Sequence, residues 1–277
     1  MHNNILAYIH IEKAAGQTFI RILENNFILR HCRVAPLHKK HKGIFSAADL
    51  NILLKFNPFL KAIAGHSVVP FSNLDECMKV NYITIFREPV QRYISHFQYW
   101  VDVLNRDITF EKFLSLEEIV DFQTKKIAGL PDLGKAKEIV KSKLFLSGVL
   151  EEFDDFLKVL KVKLAPQEFD IRYRKKNVAK KNKIKSEIMD DFNKYKDRIN
   201  NNNQLDLELY DFVKNQLFSE ERTTCLEGNE GLSDESEISK IQKFKRNIIG
   251  GLYRKFYMGP AVDMLRIKNG LKIGGSY

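Results

Sequence analysis

Short apolar runs rich in β-branched residues recur along the chain and alternate with segments of helical period. Ile5–Ile11, Val80–Phe86 and Leu144–Leu150 are three such runs, and Leu60–Ala64 is a shorter one. Runs that are apolar at successive positions are typical of parallel strands, because both faces of their sheet are covered. The alternation of strands with helices predicts an α/β fold with a mostly parallel central sheet that is flanked by helices.

Between these runs, apolar positions recur with a period near 3.6 residues, which predicts helices. In the first helix Phe19, Ile22, Leu23 and Phe27 share one side. A later helix begins at Pro89, since the missing N–H group of proline is not needed in a first turn. Further helices are predicted at Ala47–Phe56, Glu117–Ala128, Lys135–Lys141, Glu151–Leu160, Lys185–Ile199 and Gln204–Phe218.

The distribution of charge divides the chain into three parts. Residues 1–218 contain all of the predicted strands and helices and form the main domain. Residues 219–239 are polar and acidic, so we expect an acidic linker or mobile loop there. Residues 240–277 form a basic C-terminal extension with aromatic residues and several glycines, which could pack on the core or dock on a membrane surface.

The overall composition narrows the class of protein. A formal net charge of +10 on 277 residues indicates an anionic partner, such as a nucleotide, a nucleic acid, an acidic polymer or a membrane surface. Cys32, Cys77 and Cys225 form no CxxC pair, so neither a disulfide framework nor a zinc site is predicted. No run approaches the roughly 20 apolar residues that cross a bilayer. We therefore expect a reduced, cytoplasmic protein without a transmembrane segment.

The loop between the first strand and the first helix has the composition of an anion-binding turn. Lys13 offers a positive charge, Ala15 and Gly16 allow close approach to the backbone, and Thr18 adds a hydroxyl. The N–H groups at a helix N-terminus point toward an anion bound there. The pattern GxxxxGK[ST] of a magnesium-dependent nucleotide loop is absent. Taken alone, these residues fit a plain strand-to-helix turn equally well.

A second candidate site follows the run Val80–Phe86. Arg87 comes directly after it, at the edge of the sheet where α/β proteins bind ligands. Ser95 is eight residues further along, about two helical turns, so both side chains could face one phosphate. Arginine would supply a bidentate charged contact and serine a hydroxyl donor. The alternative for this segment by itself is a solvated arginine at the start of a helix.

In their order along the chain, these segments resemble the sulfotransferase family that includes the heparan sulfate and uronyl 2-O-sulfotransferases and their bacterial relatives. His10–Thr18 (HIEKAAGQT) resembles the family's 5′-phosphosulfate loop, typically HIPKTGGTS, and Thr84–Phe97 resembles its 3′-phosphate motif, a strand followed by RDPxxRxxSxY. Ala64–His66 resembles the GH element between them. The segments Gln123–Leu130, Phe145–Leu157 and Asn203–Phe212 also resemble the family, so the similarity covers residues 5 to 218.

The resemblance implies a P-loop-like three-layer α/β sandwich whose residues 1–218 form the catalytic domain of an O-sulfotransferase. The sulfuryl donor would be PAPS (3′-phosphoadenosine 5′-phosphosulfate), the product PAP (the 3′,5′-bisphosphate), and no metal would be needed. His66 would be the general base and Lys13 would stabilise the leaving phosphate. Arg87 and Ser95 would bind the 3′-phosphate. The residues implied in donor binding are Lys13, Ala15, Gly16, Gln17, Thr18, Arg87 and Ser95.

The chain departs from the family pattern at several positions. Glu12 replaces a proline, Gln17 replaces a threonine, and Glu88 replaces the aspartate of RDP. Ala14 and Ala15 stand where the family has Thr-Gly. Two loop hydroxyls are thereby lost, although backbone amides could supply most of the binding. We expect these changes to alter donor affinity more than donor identity.

The acceptor follows from the resemblance, which implies a sugar hydroxyl. The absence of a membrane anchor suggests a bacterial, cytoplasmic enzyme that modifies a glycan or glycolipid precursor, with no nucleic-acid partner. His38, His41, Arg174 and Lys176 could contact an acidic acceptor. Two other functions are left open. An ATP-dependent P-loop-like kinase should carry a GK[ST] loop, and a basic nucleic-acid-binding module needs no paired phosphate loops.

Overall fold

The computed structural model describes residues 4–173, 194–227 and 244–271. Its strands are β1 (Asn4–Ile9), β2 (His31–Arg33), β3 (Ala62–Gly65), β4 (Lys79–Phe86) and β5 (Leu144–Val149). They form one sheet in the order β2-β3-β1-β4-β5, and every neighbouring pair is parallel. The predicted α/β fold with a parallel central sheet is confirmed. The sequence did not predict β2, because this strand is short and belongs to a basic stretch without a visible period.

Helices follow most strands. They are α1 (Gly16–Asn26), α2 (Ala47–Phe56), α3 (Pro89–Asp102), α4 (Phe110–Leu114), α5 (Phe122–Ala128), α6 (Leu133–Ser142), α7 (Phe153–Leu164), α8 (Lys196–Asn201), α9 (Gln204–Phe212) and α10 (Ser219–Leu226). A π-helical stretch, Val213–Phe218, joins α9 to α10. Single 3₁₀ turns lie at Lys39–His41, Leu74–Glu76, Glu117–Ile119 and Leu150–Glu152.

The helices cover both faces of the sheet and give three layers. Alternate residues of β1 point to opposite sides, so that Ile5, Ala7 and Ile9 lie in one core and Leu6 and Tyr8 in the other. The first core is completed by α2, α5, α6 and α9, and the second by α1 and α7. Because both sides are buried, β1 is apolar at successive positions, as the sequence pattern predicted.

The start of the predicted acidic linker is helical. Residues 219–226 form α10, which lies against α7. Glu221 is 2.8 Å from Lys163 Nζ, and Arg222 Nη1 is 2.7 Å from Glu152 Oε2. The expectation of a loop was therefore wrong for these residues, because their charged side chains find partners on the neighbouring helix. Residues 228–239 of the predicted linker lie outside the described residues.

The basic extension contains a helix of residues 244–268, called the C-terminal helix below, which packs along the edge strand β2. It consists of the π-helical stretches Lys245–Gly250 and Arg254–Met258 and the α-helical stretches Gly251–Tyr253 and Gly259–Lys268. Met258 and Val262 enter the same core as Cys32 of β2. Asn269 Nδ2 donates to Leu37 O at 2.9 Å. The helix therefore covers a sheet edge that would otherwise be open to pairing. Within the described ranges, no helix is long and apolar enough to cross a membrane.

Candidate active site

Three adjacent loops meet at the carboxyl edge of the sheet. β1 lies between β3 and β4, with Ile9 in register with Gly65 on one side and Thr84 on the other. The chain leaves β1 toward β2 and leaves β4 toward β5, so the two connections run in opposite directions along the sheet. Where two neighbouring strands are followed by connections in opposite directions, a crevice opens at the carboxyl edge of the sheet, and α/β proteins bind ligands there. The tertiary structure thereby brings His66 and Arg87 to the two sides of the loop after β1.

The loop after β1 opens the N-terminus of α1 toward this crevice. Lys13 and Ala15 both have left-handed backbone conformations, with φ angles of 69° and 59°. Ala15 occupies the N-cap position and offers no side-chain acceptor. The Thr18 N–H donates to Ala15 O at 2.9 Å, so the turn itself engages this amide. Gly16 and Gln17 supply the first-turn amides, which have no acceptor inside the helix.

His10 is a packing residue beneath the loop. Its ring stacks on the ring of His66, with 4.1 Å between the centroids. A Cβ atom on Gly16 would lie 1.7 Å from His10 Nε2, so only glycine fits at this position. Burial, with a smaller effect from the charge of His66, lowers the pKa of His10 to about 3. His10 is therefore uncharged at neutral pH and holds the start of α1 against the sheet.

Lys13 and Arg87 form the positive part of the crevice. Arg87 Nη1 donates to Lys13 O at 2.9 Å, and Lys13 Nζ lies 4.3 Å from the centroid of the Tyr99 ring in α3. Burial lowers the pKa of both groups, and for Lys13 the nearby charge of Arg87 adds to the effect. Neither side chain forms an ion pair with any residue that the structure describes. The charges of Glu151 and Glu88 oppose the effect of burial on the pKa of Arg87. Neither carboxylate is in ion-pair contact with the two cations, and two adjacent cations that are not ion-paired within the described residues favour an anionic ligand.

A buried amide and a buried carboxylate hold the backbone of Arg87. Gln123 Oε1 accepts from Arg87 N, and Gln123 Nε2 donates to Arg87 O, both at 3.0 Å. Asp206 accepts from the Gln123 and Thr124 N–H groups at 3.0 and 2.7 Å. Burial raises the pKa of Asp206, while the charge of Arg92 acts in the opposite direction. The position of Arg87 thus depends on α5 and α9.

Gln123 and Asp206 were given no role in the sequence analysis. For Asp206, however, the sequence contains a sign that the residue is unusual. Asp206 precedes Leu209, Tyr210 and Val213, which continue the spacing i+3, i+4 and i+7 of one helix face. A carboxylate on the apolar face of a helix is a buried charge, and buried charges need partners. The pattern could have marked Asp206 as special, but not which backbone it holds.

His66 is oriented by Glu12. His66 Nδ1 lies 2.8 Å from Glu12 Oε1. Burial alone would raise the pKa of Glu12, but the hydrogen bond from His66 and the charge of Lys126 lower it to about 2. An ionised carboxylate can only accept, so Nδ1 carries the proton and Nε2 of the neutral ring keeps its lone pair. Lys126 Nζ also donates to His66 O. Glu12, which replaces a proline of the family pattern, therefore fixes the His66 ring.

Glu88 and Ser95 both belong to the helix that follows Arg87. The Glu88 side chain caps α3 by accepting from Val90 N at 3.0 Å and Gln91 N at 2.7 Å. Although its side chain is one methylene longer, Glu88 thus caps the helix as an aspartate does at such a position. Ser95 is half-buried two turns into α3. No hydrogen bond joins Ser95 to Arg87 within the described stretches, where Arg87 donates to the Lys13 carbonyl instead.

Arg92 is a buried cation to which the sequence analysis gave no role. It is fully buried in α3, and its guanidinium lies 4.6 Å from the centroid of the Phe122 ring. Its Nη1 is 3.4 Å from His96 Nδ1, whereas Nε and Nη2 have no hydrogen-bond partner among the described residues. Burial lowers the pKa of Arg92, and the charge of Asp206 opposes this. Arg92 adds positive potential beneath the crevice, since Coulomb interactions are weakly screened in the interior.

The residues predicted to contact an acceptor lie apart from this group. His38 Nδ1 accepts from Lys40 N at 3.1 Å, and His41 Nδ1 lies 2.7 Å from Asp49 Oδ2, which is buried. Both histidines follow β2 at the same edge of the sheet, next to the loop after β3. The ring of His38 thus contacts its own turn, and the ring of His41 contacts α2. Arg174 and Lys176 lie outside the described residues.

Neither protein-family models nor curated protein sequences show a relative of this chain. In residues 4–173, 194–227 and 244–271, no group of three or more histidine, cysteine, aspartate or glutamate side chains is arranged to hold a metal ion. The crevice itself holds two cations, a helix N-terminus and a histidine that is hydrogen-bonded to a carboxylate.

Proposed function

We propose that the chain is a PAPS-dependent O-sulfotransferase that transfers the sulfuryl group to a hydroxyl of a carbohydrate. The observation that carries the proposal is the convergence of Lys13, His66 and Arg87 on one crevice, from three strands that are neighbours in the sheet. The donor needs two anion sites, one for the phosphosulfate and one for the 3′-phosphate. The acceptor hydroxyl needs a base beside the first of these sites.

The positive groups match the two ends of the donor. Lys13 and the first-turn amides of Gly16 and Gln17 would receive the 5′-phosphosulfate, as helix N-termini do for other anions. Arg87 would receive the 3′-phosphate, with the Ser95 hydroxyl as a second donor. The assignment of Arg87 is supported by the two hydrogen bonds that hold its backbone to Gln123. A side chain on a fixed backbone loses less entropy on binding than a mobile one.

The transfer would proceed in one in-line step. His66 Nε2 takes the proton of the acceptor hydroxyl as its oxygen attacks sulfur, and the bond between sulfur and the bridging oxygen breaks. The electron pair of that bond stays on the leaving PAP, where Lys13 stabilises the new charge. Glu12 holds the Nδ1 proton of His66 and so keeps Nε2 available. His66 then releases the proton to water.

The nature of the acceptor rests on the family resemblance. A glycan or glycolipid hydroxyl would reach His66 from the side of β2, where His38 and His41 lie. A reduced, cytoplasmic setting is consistent with the three cysteines of the described residues, Cys32, Cys77 and Cys225, which form no disulfide.

Titration calorimetry with PAP, AMP and ATP tests the donor assignment. We expect PAP to bind most tightly and the Arg87→Ala variant to lose about 10- to 100-fold in PAP affinity, as when a hydrogen bond to a charged group is removed. AMP affinity should change little. The matched control is Arg30→Ala, which removes an exposed arginine from the opposite end of the strands. ATP binding as tight as PAP binding would overturn the assignment and favour a kinase.

A further inference from the structure

The C-terminal helix exposes an apolar face to solvent. Leu252 and Phe256 are 52% and 67% exposed, and Phe244 and Ile248 are exposed as well. These residues recur every four positions. The helix contains two π-helical stretches, in which a turn takes more than 3.6 residues, so a spacing of four keeps side chains on one side. They therefore form a continuous apolar stripe.

The opposite face of the same helix is the one that packs on the protein. Gly250, Met258 and Val262 are buried and also follow a spacing of four. Arg254, in the same series, lies 3.9 Å from Glu24. Gly250, Arg254 and Met258 of this buried series each lie two positions from a residue of the apolar stripe. Two positions are about half a helical turn, so the two series lie on opposite sides of the helix. Among the described residues, the core contacts of the helix thus leave its apolar stripe exposed.

Exposed apolar residues continue from this stripe onto neighbouring loops. Tyr257 OH donates to Phe56 O at 3.2 Å, and Phe59, three residues further on, is 73% exposed. Asn57 Nδ2 donates to the carbonyl of the exposed Leu29 at 2.8 Å. These loops precede β2 and β3, so this part of the surface lies at the opposite end of the strands from the crevice.

Basic residues border the apolar stripe. Lys245 and Lys255 are exposed on the C-terminal helix, and Arg30 is exposed beside Leu29. Between Phe244 and Lys268 the one acidic residue is Asp263, which is half-buried. Apolar side chains with flanking lysines are the signature of a helix that lies in the interface of an anionic bilayer. A second copy of the chain would instead bring like charges together, at a net charge of +10 each.

We propose that the C-terminal helix docks the protein on an anionic lipid surface, with the stripe of Phe244, Ile248, Leu252 and Phe256 inserted among the lipids and the lysines at the headgroups. Tyr257 and Phe59 extend the contact. The crevice stays accessible, because it is at the other end of the strands. This inference does not depend on the proposed function, since no residue of the crevice takes part.

Vesicle co-sedimentation of the full chain tests the proposal. The vesicles contain phosphatidylcholine alone or with phosphatidylglycerol. The test variant Leu252→Ser/Phe256→Ser removes apolar area without changing the charge. The control variant Val103→Ser/Leu104→Ser makes the same kind of change at exposed residues after α3. Thermal unfolding confirms that both variants fold, and sedimentation velocity reports the oligomeric state of each.

We expect the protein and the control variant to bind the vesicles with phosphatidylglycerol and to bind pure phosphatidylcholine weakly. The partition coefficient of the test variant should fall about tenfold or more, as expected when two large apolar side chains lose their burial. Equal binding of the test variant, or no binding of the unaltered protein, overturns the proposal. So does a dimer that the test variant dissociates, which would make a second copy the occupant of this face.

Discussion

Glu12 and His66 form the contact on which the proposed base chemistry of the crevice depends. A histidine at the end of a strand has two ring nitrogens, and its usefulness as a base depends on which of them carries the proton. The 2.8 Å contact between His66 Nδ1 and Glu12 Oε1 decides this. Stacking on His10 limits rotation of the ring. Glu12 is thus a positioning residue, and His66 is the group that would touch the acceptor.

Replacing His66 and Glu12 separates base chemistry from donor binding. We expect His66→Ala to lower kcat about 10²- to 10⁴-fold, the usual contribution of a general base, and to leave PAP affinity unchanged. Glu12→Ala should lower kcat less and should not weaken PAP binding, because it removes a negative charge near an anion site. Steady-state kinetics and calorimetry measure both effects. Full activity of His66→Ala would show that another group is the base.

Replacing glycine by alanine should have opposite effects on the unfolding free energy at Gly16 and at Gly251. In Gly16→Ala, the new Cβ would lie 1.7 Å from His10 Nε2, so the unfolding free energy should fall by about 1–3 kcal/mol, as in other overpacked cores. In Gly251→Ala, nothing lies within 4 Å of the new Cβ, and the helix should gain up to about 1 kcal/mol. Urea unfolding measures both. Equal effects would mean that His10 moves freely.

At the scale of elements, α5 and α9 cap each other. Asp206 of α9 accepts from the first amides of α5, at Gln123 and Thr124. Asp121, just before α5, accepts from the first amides of α9, at Leu205 and Asp206. Asp121 has a left-handed φ of 44°, so the single helix predicted for Glu117–Ala128 is broken there. This reciprocal arrangement fixes α5, and through Gln123 it fixes Arg87.

Asp206→Asn tests this coupling between two elements and the crevice. Asparagine has one acceptor oxygen, and its NH₂ group would face an amide donor. The unfolding free energy should fall by about 1–3 kcal/mol, the cost of an unsatisfied buried group, and PAP affinity should fall with it. Asp211→Asn is the control, since Asp211 is exposed on the same helix and contacts the Asn215 amide. Unchanged PAP affinity in a destabilised Asp206→Asn protein would show that the capping contacts between α5 and α9 do not position Arg87 for binding.

For the whole molecule, buried histidines link stability to pH. Burial is the largest cause that lowers the pKa of His10 and His31 to about 3 and of His96 to about 4. Their ordinary pKa of about 6.5 applies in the unfolded chain. Between these values the unfolded state binds more protons than the folded state, so stability increases with pH. Glu12, with a pKa of about 2, acts in the same direction below pH 4.5.

Stability should therefore fall as the pH is lowered from about 6.5 toward 4. Each histidine contributes up to about 1.4 kcal/mol per pH unit in this window. His31→Leu should reduce this slope by the contribution of one histidine. It should cause no loss of stability at pH 7, because neither ring nitrogen of His31 has a hydrogen-bond partner in the described part of the chain. Urea unfolding at several pH values measures the slope. An unchanged slope in His31→Leu would show that His31 is already charged in the folded state.

How far the sequence predicted the molecule differs between elements. The central strands and α1, α3 and α6 were recognised from apolar period and turn chemistry, because these signals are local. The edge strand His31–Arg33 was not, since its strand conformation depends on pairing with β3. The helix at residues 219–226 was missed because its charged residues pair with a distant helix. Lys13, His66 and Arg87 were singled out, whereas Gln123, Arg92 and Asp206 were given no role.

The sequence by itself determined the alternation of buried strands and helices and the kinds of residue at each strand end. These depend on the hydrophobic effect along one segment and on the chemistry of single side chains. Only the tertiary structure decided that the loops after β3, β1 and β4 are neighbours, because strand order is set by packing between segments far apart in the chain. It also decided that Glu12 contacts His66 and that, in the part of the chain that the structure describes, one face of the C-terminal helix is exposed.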